Sequence, residues 1–440
     1  MPSFPFKILY FCLGFCIIKV LFLLKGMPVH DSSWNLIRER ISGYFDDVVR
    51  LQEALIPLPA LAPESGGEGE WLKAETVRRF IEAIGVDEWI DIPAPDERVP
   101  KGYRPNMTFR WRGRSPDRTV WILSHLDVVP PGDRTQWEND PFRAVFRDGK
   151  VIGRGAEDNH QALVSSILAV RAFRETKTAV ENGVGLIIVS DEETGSRYGI
   201  HHVLNVRPDL FRKTDWIVVP DAGDPDGTLI ETAEKSVLWL RFVVKGKQTH
   251  GSTPEKGINA HRAGAHLIVK LDGLSRIFSR NDPLFDPPPS TFEPTKKEAN
   301  VPNVNTVPGE DAFHFDCRVL PDVPLDAVRS QIRDWSNEIE ASFGVRVQIE
   351  ETQATQAPPA TPSHSPVVLA LKAAVREVLN RDAQTKGIGG GTVAEAFRAR
   401  GLPAVCWTCI DDTAHTPNEY SKVENTLNDA KVFAHLFMQK

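Results

Sequence analysis

Four stretches of the chain are apolar almost throughout: 119–123 (TVWIL), 184–189 (VGLIIV), 216–219 (WIVV) and 404–410 (AVCWTCI). Short uninterrupted apolar runs suit strands buried on both faces, as in a parallel sheet covered by helices. Helical spacing lies between them. Over 161–173, Leu163, Ile167 and Val170 share one face, and near the start Trp34, Ile37, Ile41, Phe45 and Val48 form a helical stripe read as core. From about 236 to 350 the pattern changes. Phe313, Phe315, Cys317 and Val319 alternate with His314, Asp316 and Arg318, and Val345, Val347 and Ile349 alternate with Arg346, Gln348 and Glu350. That period of two predicts antiparallel strands with one wet face. Leu325, Val328, Ile332, Trp335 and Ile339 predict an amphipathic helix, and another fits 260–274. Strand, helix, strands, helix, strand is the order of a ferredoxin-like sandwich.

These patterns predict an α/β domain with helices on both faces of a mostly parallel sheet, interrupted by an inserted ferredoxin-like α+β module. The expected boundaries are 27–234 and 353–440 for the two parts of the α/β domain and 235–352 for the insert. The Pro/Thr-rich stretch 354–366 reads as the return linker.

Composition narrows the class. The 440 residues are 41% hydrophobic and 25% charged, ordinary for a globular chain and unlike a disordered, collagenous or polytopic membrane protein. The net charge of −7, from 52 basic and 59 acidic residues, leaves no electrostatic footprint for nucleic acid. Five cysteines form no disulfide framework, and two of them, Cys12 and Cys16, lie near the N-terminus. The body is expected to fold in a reducing compartment, the cytoplasm. Residues 8–24 are apolar apart from Lys19, slightly short of the ~20 that a spanning helix needs. No small-residue cleavage site follows them, and Met27 opens a polar stretch like an ordinary start. A misplaced start is favoured over a signal anchor or an uncleaved targeting segment. Residues 1–26 therefore stand outside the fold reading, and a membrane enters only if they are genuine.

The chemistry lies where the apolar runs end. TVWIL is followed by Ser124-His125-Leu126-Asp127, VGLIIV by Ser190-Asp191-Glu192-Glu193, WIVV by Pro220-Asp221, and the 404–410 run shortly by His415. In open α/β sheets ligands bind beyond the carboxyl ends of the strands. Histidines and carboxylates gathered on that rim make a first-row metal site, most often zinc. His125 and Asp127, two apart, point the same way. Asp158 joins them from the glycine-punctuated loop 153–159 (GRGAEDN), whose glycines permit a tight backbone; without Gly-Lys-Ser/Thr it is no phosphate loop. Taken singly, any of these residues is an ordinary turn or cap.

Seven ordered motifs resemble one family: SHLDVVP (124–130), GRGAEDN (153–159), SDEETGS (190–196), PDAG (220–223), THGSTP (249–254), NTVPG (305–309) and AHTPNEY (414–420). They resemble the co-catalytic zinc amidohydrolases and exopeptidases, which include succinyl-diaminopimelate desuccinylase, acetylornithine deacetylase, aminoacylase, carnosinase-type dipeptidases and glutamate carboxypeptidase. The resemblance covers nearly all of 30–440. It implies two zinc ions, replaceable by cobalt or manganese, one on His125, Asp158 and Asp221, the other on His415, Asp158 and Glu193, with Asp158 bridging. It implies a hydroxide shared by the metals as nucleophile, Glu192 as general base, and Asp127 as the group that fixes the His125 tautomer. His250 would reach the active site of the other subunit of a homodimer and stabilise the oxyanion. Asn305 and Arg318 match positions that hold a substrate carboxylate, and Gly389-Gly390-Gly391-Thr392 matches a glycine-rich substrate loop; Arg318 also reads as a solvated strand residue. The chain departs from the common pattern at His160-Gln161, where many members have Lys-Gly, and at Asp221, where desuccinylases and deacetylases usually have Glu.

The implied function is hydrolysis of the amide of an N-acyl amino acid. The rivals are a dipeptidase or carboxypeptidase, and an inactive binding protein of the same fold. The intact set of metal-type residues argues against the last. Cys406-Trp407-Thr408-Cys409, lacking a second pair, reads as two buried thiols.

Overall fold

The computed structural model describes residues 31–440. The expectation for residues 1–26 lies outside the described residues. Among those described, no helix is long and apolar enough to cross a membrane.

An eight-stranded sheet carries the site. Its order is Glu88–Asp91, Met107–Trp111, Gly183–Val189, Thr119–His125, Trp216–Val219, Ala404–Cys406, Leu229–Glu234 and Gln384–Ile388. The central strands from Gly183–Val189 to Ala404–Cys406 pair in parallel, while the Met107–Trp111 side and the Ala404–Cys406/Leu229–Glu234 junction are antiparallel. Every residue of Thr119–His125 and of Gly183–Val189 is buried. Alternate side chains enter different cores. Val120 and Ile122 pack with helices Ala162–Thr176 and Val423–Met438, and Trp121 and Leu123 pack with Ile200–Val206 and Ala394–Arg398. The continuous apolar runs are thus explained by burial on both faces.

A second sheet has the order Thr291–Lys297, Glu310–Val319, Ser236–Lys245, Arg346–Thr355, antiparallel throughout. Helices Ala260–Leu271 and Leu325–Phe343 cover one face, burying Leu238, Leu240, Phe313 and Phe315 in a core of their own. This is the ferredoxin-like arrangement that the alternation predicts. Asn259 caps the first helix by accepting from Arg262 N (2.9 Å), and Gly344, left-handed at φ 67°, ends the second.

Three local expectations need correction. The apolar run 404–410 leaves the ladder after Cys406, because the Asp429 carboxylate takes Cys409 N (3.0 Å) and the Thr408 hydroxyl (2.7 Å). The stripe from Trp34 to Val48 breaks at Gly43 into Asp31–Ser42 and Phe45–Leu55, which turns Phe45 out to solvent. The last strand of the second sheet runs to Thr355, past the expected start of the linker. Cys406 and Cys409 are buried free thiols, as expected, and Cys317 is a third.

The Val423–Met438 helix also carries a pH-sensitive packing contact. His435 is buried edge-on against Trp34 at 5.0 Å between ring centres, and its Nδ1 accepts from Gln439 Nε2 at 3.0 Å. Burial pushes its pKa down to about 4. An unfolded histidine titrates near ~6.5, so between the two values only the unfolded chain takes up the proton. Stability is therefore lost as pH falls from 6.5 toward 4, by about 1.4 kcal/mol per unit at most. The expected result is that His435→Gln flattens the loss of urea-midpoint stability between pH 7 and pH 5; an unchanged slope would remove His435 as its source.

Candidate active site

Three strand ends and two loops converge at one rim. His125 closes the strand Thr119–His125 and is 1% exposed. Its Nδ1 lies 3.1 Å from the Asp127 carbonyl oxygen and 3.6 Å from the Asp127 carboxylate, both acceptors, so Nδ1 carries a proton and Nε2 faces the rim. There Nε2 is 2.8 Å from Asp158 Oδ1 and 3.6 Å from Asp221 Oδ1. On the other side, His415 Nε2 is 3.1 Å from Asp158 Oδ2 and 3.1 Å from Glu193 Oε2. Asp158 therefore presents one oxygen to each histidine. Glu192 offers an oxygen within 4.8 Å of ligand atoms on His125 and Asp221, and Glu193 does the same with His125 and Asp158.

The Glu192-Glu193 turn is fastened from two sides. Asp127 accepts from both its amides, Glu192 N at 3.1 Å and Glu193 N at 3.0 Å. Asp127 thus aligns the turn as well as His125, a second task that its spacing from His125 does not reveal. From the other side, fully buried Arg104 pairs with Glu70 and lies 3.6 Å from Asp191 Oδ1, and Asn106 Oδ1 accepts from Ser190 N at 3.1 Å.

Asp158 and His415 are held by a reciprocal pair of glutamates. Buried Glu419 accepts from the amides of Gly155 (3.1 Å), Glu157 (3.0 Å) and Asp158 (3.0 Å) and pairs with Arg154 (2.6 Å). Glu157 accepts from Asp411 N (2.8 Å), Ala414 N (3.0 Å) and the Thr413 hydroxyl (2.9 Å) in the loop that leads to His415. Glu157 adjoins Asp158 and Glu419 lies four residues past His415, and each fixes the loop carrying the other. Gly155, at φ 90°, must be glycine, because a Cβ there would lie 2.7 Å from His160 Cε1. Asn159 ties the strand ends by accepting from His125 N (3.3 Å) and donating to Pro220 O (3.0 Å).

The potential at the rim is strongly negative. Burial alone would lower the pKa of His125, yet Asp158, Asp127 and Asp221 raise it well above the ordinary value. Hydrogen bonds to Asp158 and Glu193 push His415 up to about 10. Burial, then the charge of Asp221, raises Glu192 well above the carboxylate range. Glu193 Oε1 is buried with no hydrogen-bond partner. Two imidazole nitrogens, an orphaned carboxylate oxygen and several crowded acids are the donor set that a pair of divalent first-row cations relieves, so the residues fit such metals.

Residues 121–439 match the model of peptidase family M20/M25/M40. The chain belongs to that family. As an M20 chain it is a metallohydrolase, and its relatives agree. It is 37% identical over 411 residues to a protein of Methanocaldococcus jannaschii called an uncharacterized metallohydrolase, covering 88% of this chain and 98% of that one. It is 25% identical over 391 residues to the succinyl-diaminopimelate desuccinylase of Aliarcobacter butzleri, with the same coverages. Its fold matches that of a Bacillus subtilis protein described as a dinuclear metal-binding peptidase of family M20, with a TM-score of 0.63 at 16% identity over 90% of this chain and 98% of that one.

The remaining predicted site residues of this M20 chain fall into two other groups. His250 and Asn305 are neighbours on a small ribbon formed by Thr249–His250 and Thr306–Val307 in the inserted module, where Gly251 N donates to Asn305 O (2.7 Å). His250 is exposed, and its Nδ1 lies 2.7 Å from the Ser252 hydroxyl. Arg318 joins the glycine-rich loop, donating to Gly389 O at 2.9 Å, but its fork is occupied by Asp316 at 2.7 and 3.1 Å. Beyond Gly390 and Gly391, the Thr392 hydroxyl donates to Glu234 Oε1 (2.6 Å).

Proposed function

We propose that this M20 chain is a two-metal amidohydrolase that cleaves the amide of an N-acyl amino acid, in the manner of a desuccinylase or deacetylase. The observation that carries the reading is Asp158, with one carboxylate oxygen toward His125 and the other toward His415. A bridging carboxylate has that geometry. His125, Asp158 and Asp221 would hold one zinc ion, and His415, Asp158 and Glu193 the other. When bound, the pair polarises the scissile carbonyl and lowers the pKa of a water molecule. Glu192 would act as general base, taking a proton from the attacking water and passing it to the departing amine. Asp127 holds both the His125 ring and the Glu192 amide, so base and ligand keep a fixed separation. Arg318 and the Gly390-Gly391-Thr392 loop would meet the substrate carboxylate once Asp316 yields the guanidinium.

His250 and Asn305 would serve a facing copy in a homodimer, as their exposed ribbon suits. His250→Ala is expected to lower kcat by about 10²–10³, the usual effect of losing one oxyanion donor, with metal content unchanged. Sedimentation should show a dimer; a fully active monomer would rule out the role in trans.

The test is amine release by the purified chain, with and without zinc, from N-succinyl-diaminopimelate, N-acetylornithine, other N-acyl amino acids and dipeptides. Zinc-dependent release from the acyl substrates is the expected outcome. Release from dipeptides alone would make the chain a peptidase, and none from any substrate with two metals bound would favour the binding-protein reading.

A further inference from the structure

A cavity of about 610 Å³ opens at the opposite end of the large sheet from the metal-type residues. Its floor is apolar, with Trp111, Phe173, Val180 and Val184 all buried. Val184 is the second residue of Gly183–Val189, the strand whose far end leads to Glu192. Val184 and Val189 are separated by roughly 17 Å at ~3.3 Å per residue, so the cavity is no part of the catalytic rim.

The rim of the cavity is basic. Arg112, Arg114, Arg174 and Lys177 line it, all exposed, against a single acid, Asp87. Asp87 is already engaged: Oδ2 accepts from Arg112 N at 2.8 Å, and Oδ1 lies 3.9 Å from Arg174 Nη1. Among the described residues, the side chains of Arg112, Arg114 and Lys177 have no hydrogen-bond or ion-pair partner. The Trp111 indole N–H is satisfied by Gly85 O at 2.6 Å, so that ring offers only its apolar surface. On a chain of net charge −7, a local excess of cations around an apolar hollow is a departure from the average surface. The volume suits one small molecule, because ligand pockets commonly span ~300–1,000 Å³.

We propose that this cavity is a second ligand site, for a small amphipathic anion. The apolar body would rest on Trp111, Phe173 and Val184, and a carboxylate, sulfonate or phosphate head would meet Arg112, Arg114 and Lys177. Charge complementarity selects the anion, and the buried floor selects one with a hydrocarbon or aromatic body over a bare ion.

The test uses the full chain and calorimetric titration with octane-1-sulfonate, a poor metal ligand, beside octyltrimethylammonium, which has the same tail and the opposite charge. The expected result is one site for the sulfonate and none for the ammonium. The exposed charge reversal R112E/R114E/K177E should weaken sulfonate binding at least tenfold. A second variant, Ala179→Trp, fills the cavity mouth without altering charge and should also abolish binding. In both variants the melting temperature and amine release should stay at wild-type values, as these residues lie outside the catalytic machinery. Equal sulfonate affinity in either variant would overturn the proposal, and so would no binding to the wild type. Binding to phosphatidylglycerol vesicles without octanesulfonate binding would overturn it in favour of a flat anionic-membrane contact.

Discussion

Glu192→Gln is expected to keep both metals and lose turnover by about 10²–10⁴-fold, the usual range for removing a general base. The expectation separates two adjacent glutamates that look equivalent in sequence. Glu193 shares its Oε2 with His415 and leaves a buried Oε1 without a partner, the environment of a ligand. Glu192 has no hydrogen bond from its carboxylate to either histidine, and its amide is fixed by Asp127. Glu193→Gln should therefore lose metal, and Glu192→Gln should not. Metal analysis of the two variants beside their rates is the measurement. If Glu192→Gln kept turnover within a few-fold of wild type, the base would lie elsewhere.

What the sequence made legible follows from what burial does to pattern. Strands covered on both faces must be apolar throughout, so Thr119–His125, Gly183–Val189 and Trp216–Val219 stand out without any alignment. The polar residues that interrupt those runs mark where the strands reach the rim, and His125, Glu192, Glu193 and Asp221 are found that way. Alternation likewise exposed the inserted module, since one face of its sheet is packed by helices and the other is not. What stayed hidden is whatever depends on a partner far away in the chain. Asp429 ends the 404–406 strand from more than a helical turn inside Val423–Met438, and no local signal near Cys406 announces it. Asp316 looks like any polar residue on a wet strand face until it is seen holding Arg318. Glu157 and Glu419 lie inside the motifs GRGAEDN and AHTPNEY, yet their work is done on each other's loop, over 250 residues apart in the chain. In the sequence, Glu157 could be flagged only by its place next to Asp158, and Glu419 by nothing more than its place in the His415 motif; their burial, which demands donors, shows only in the fold.

That reciprocal clamp supplies the second large effect. Glu419→Ala leaves three amides, those of Gly155, Glu157 and Asp158, and the Arg154 guanidinium without their acceptor in a buried site. Breaking a buried ion pair by removing one partner costs about 3–5 kcal/mol. The loss falls on the turn that aims Asp158, whose two carboxylate oxygens face one histidine each. Metal affinity should drop at both positions together, and activity with it, whereas a variant of Glu193 should weaken chiefly the position shared with His415. Glu419 itself touches neither histidine, so retention of both metals at wild-type affinity with an unchanged melting temperature would show that the loop holds its shape without the clamp. Loss of stability and metal together, set beside a Glu192→Gln protein that keeps both, would distinguish the residue that builds the site from the one that moves the proton.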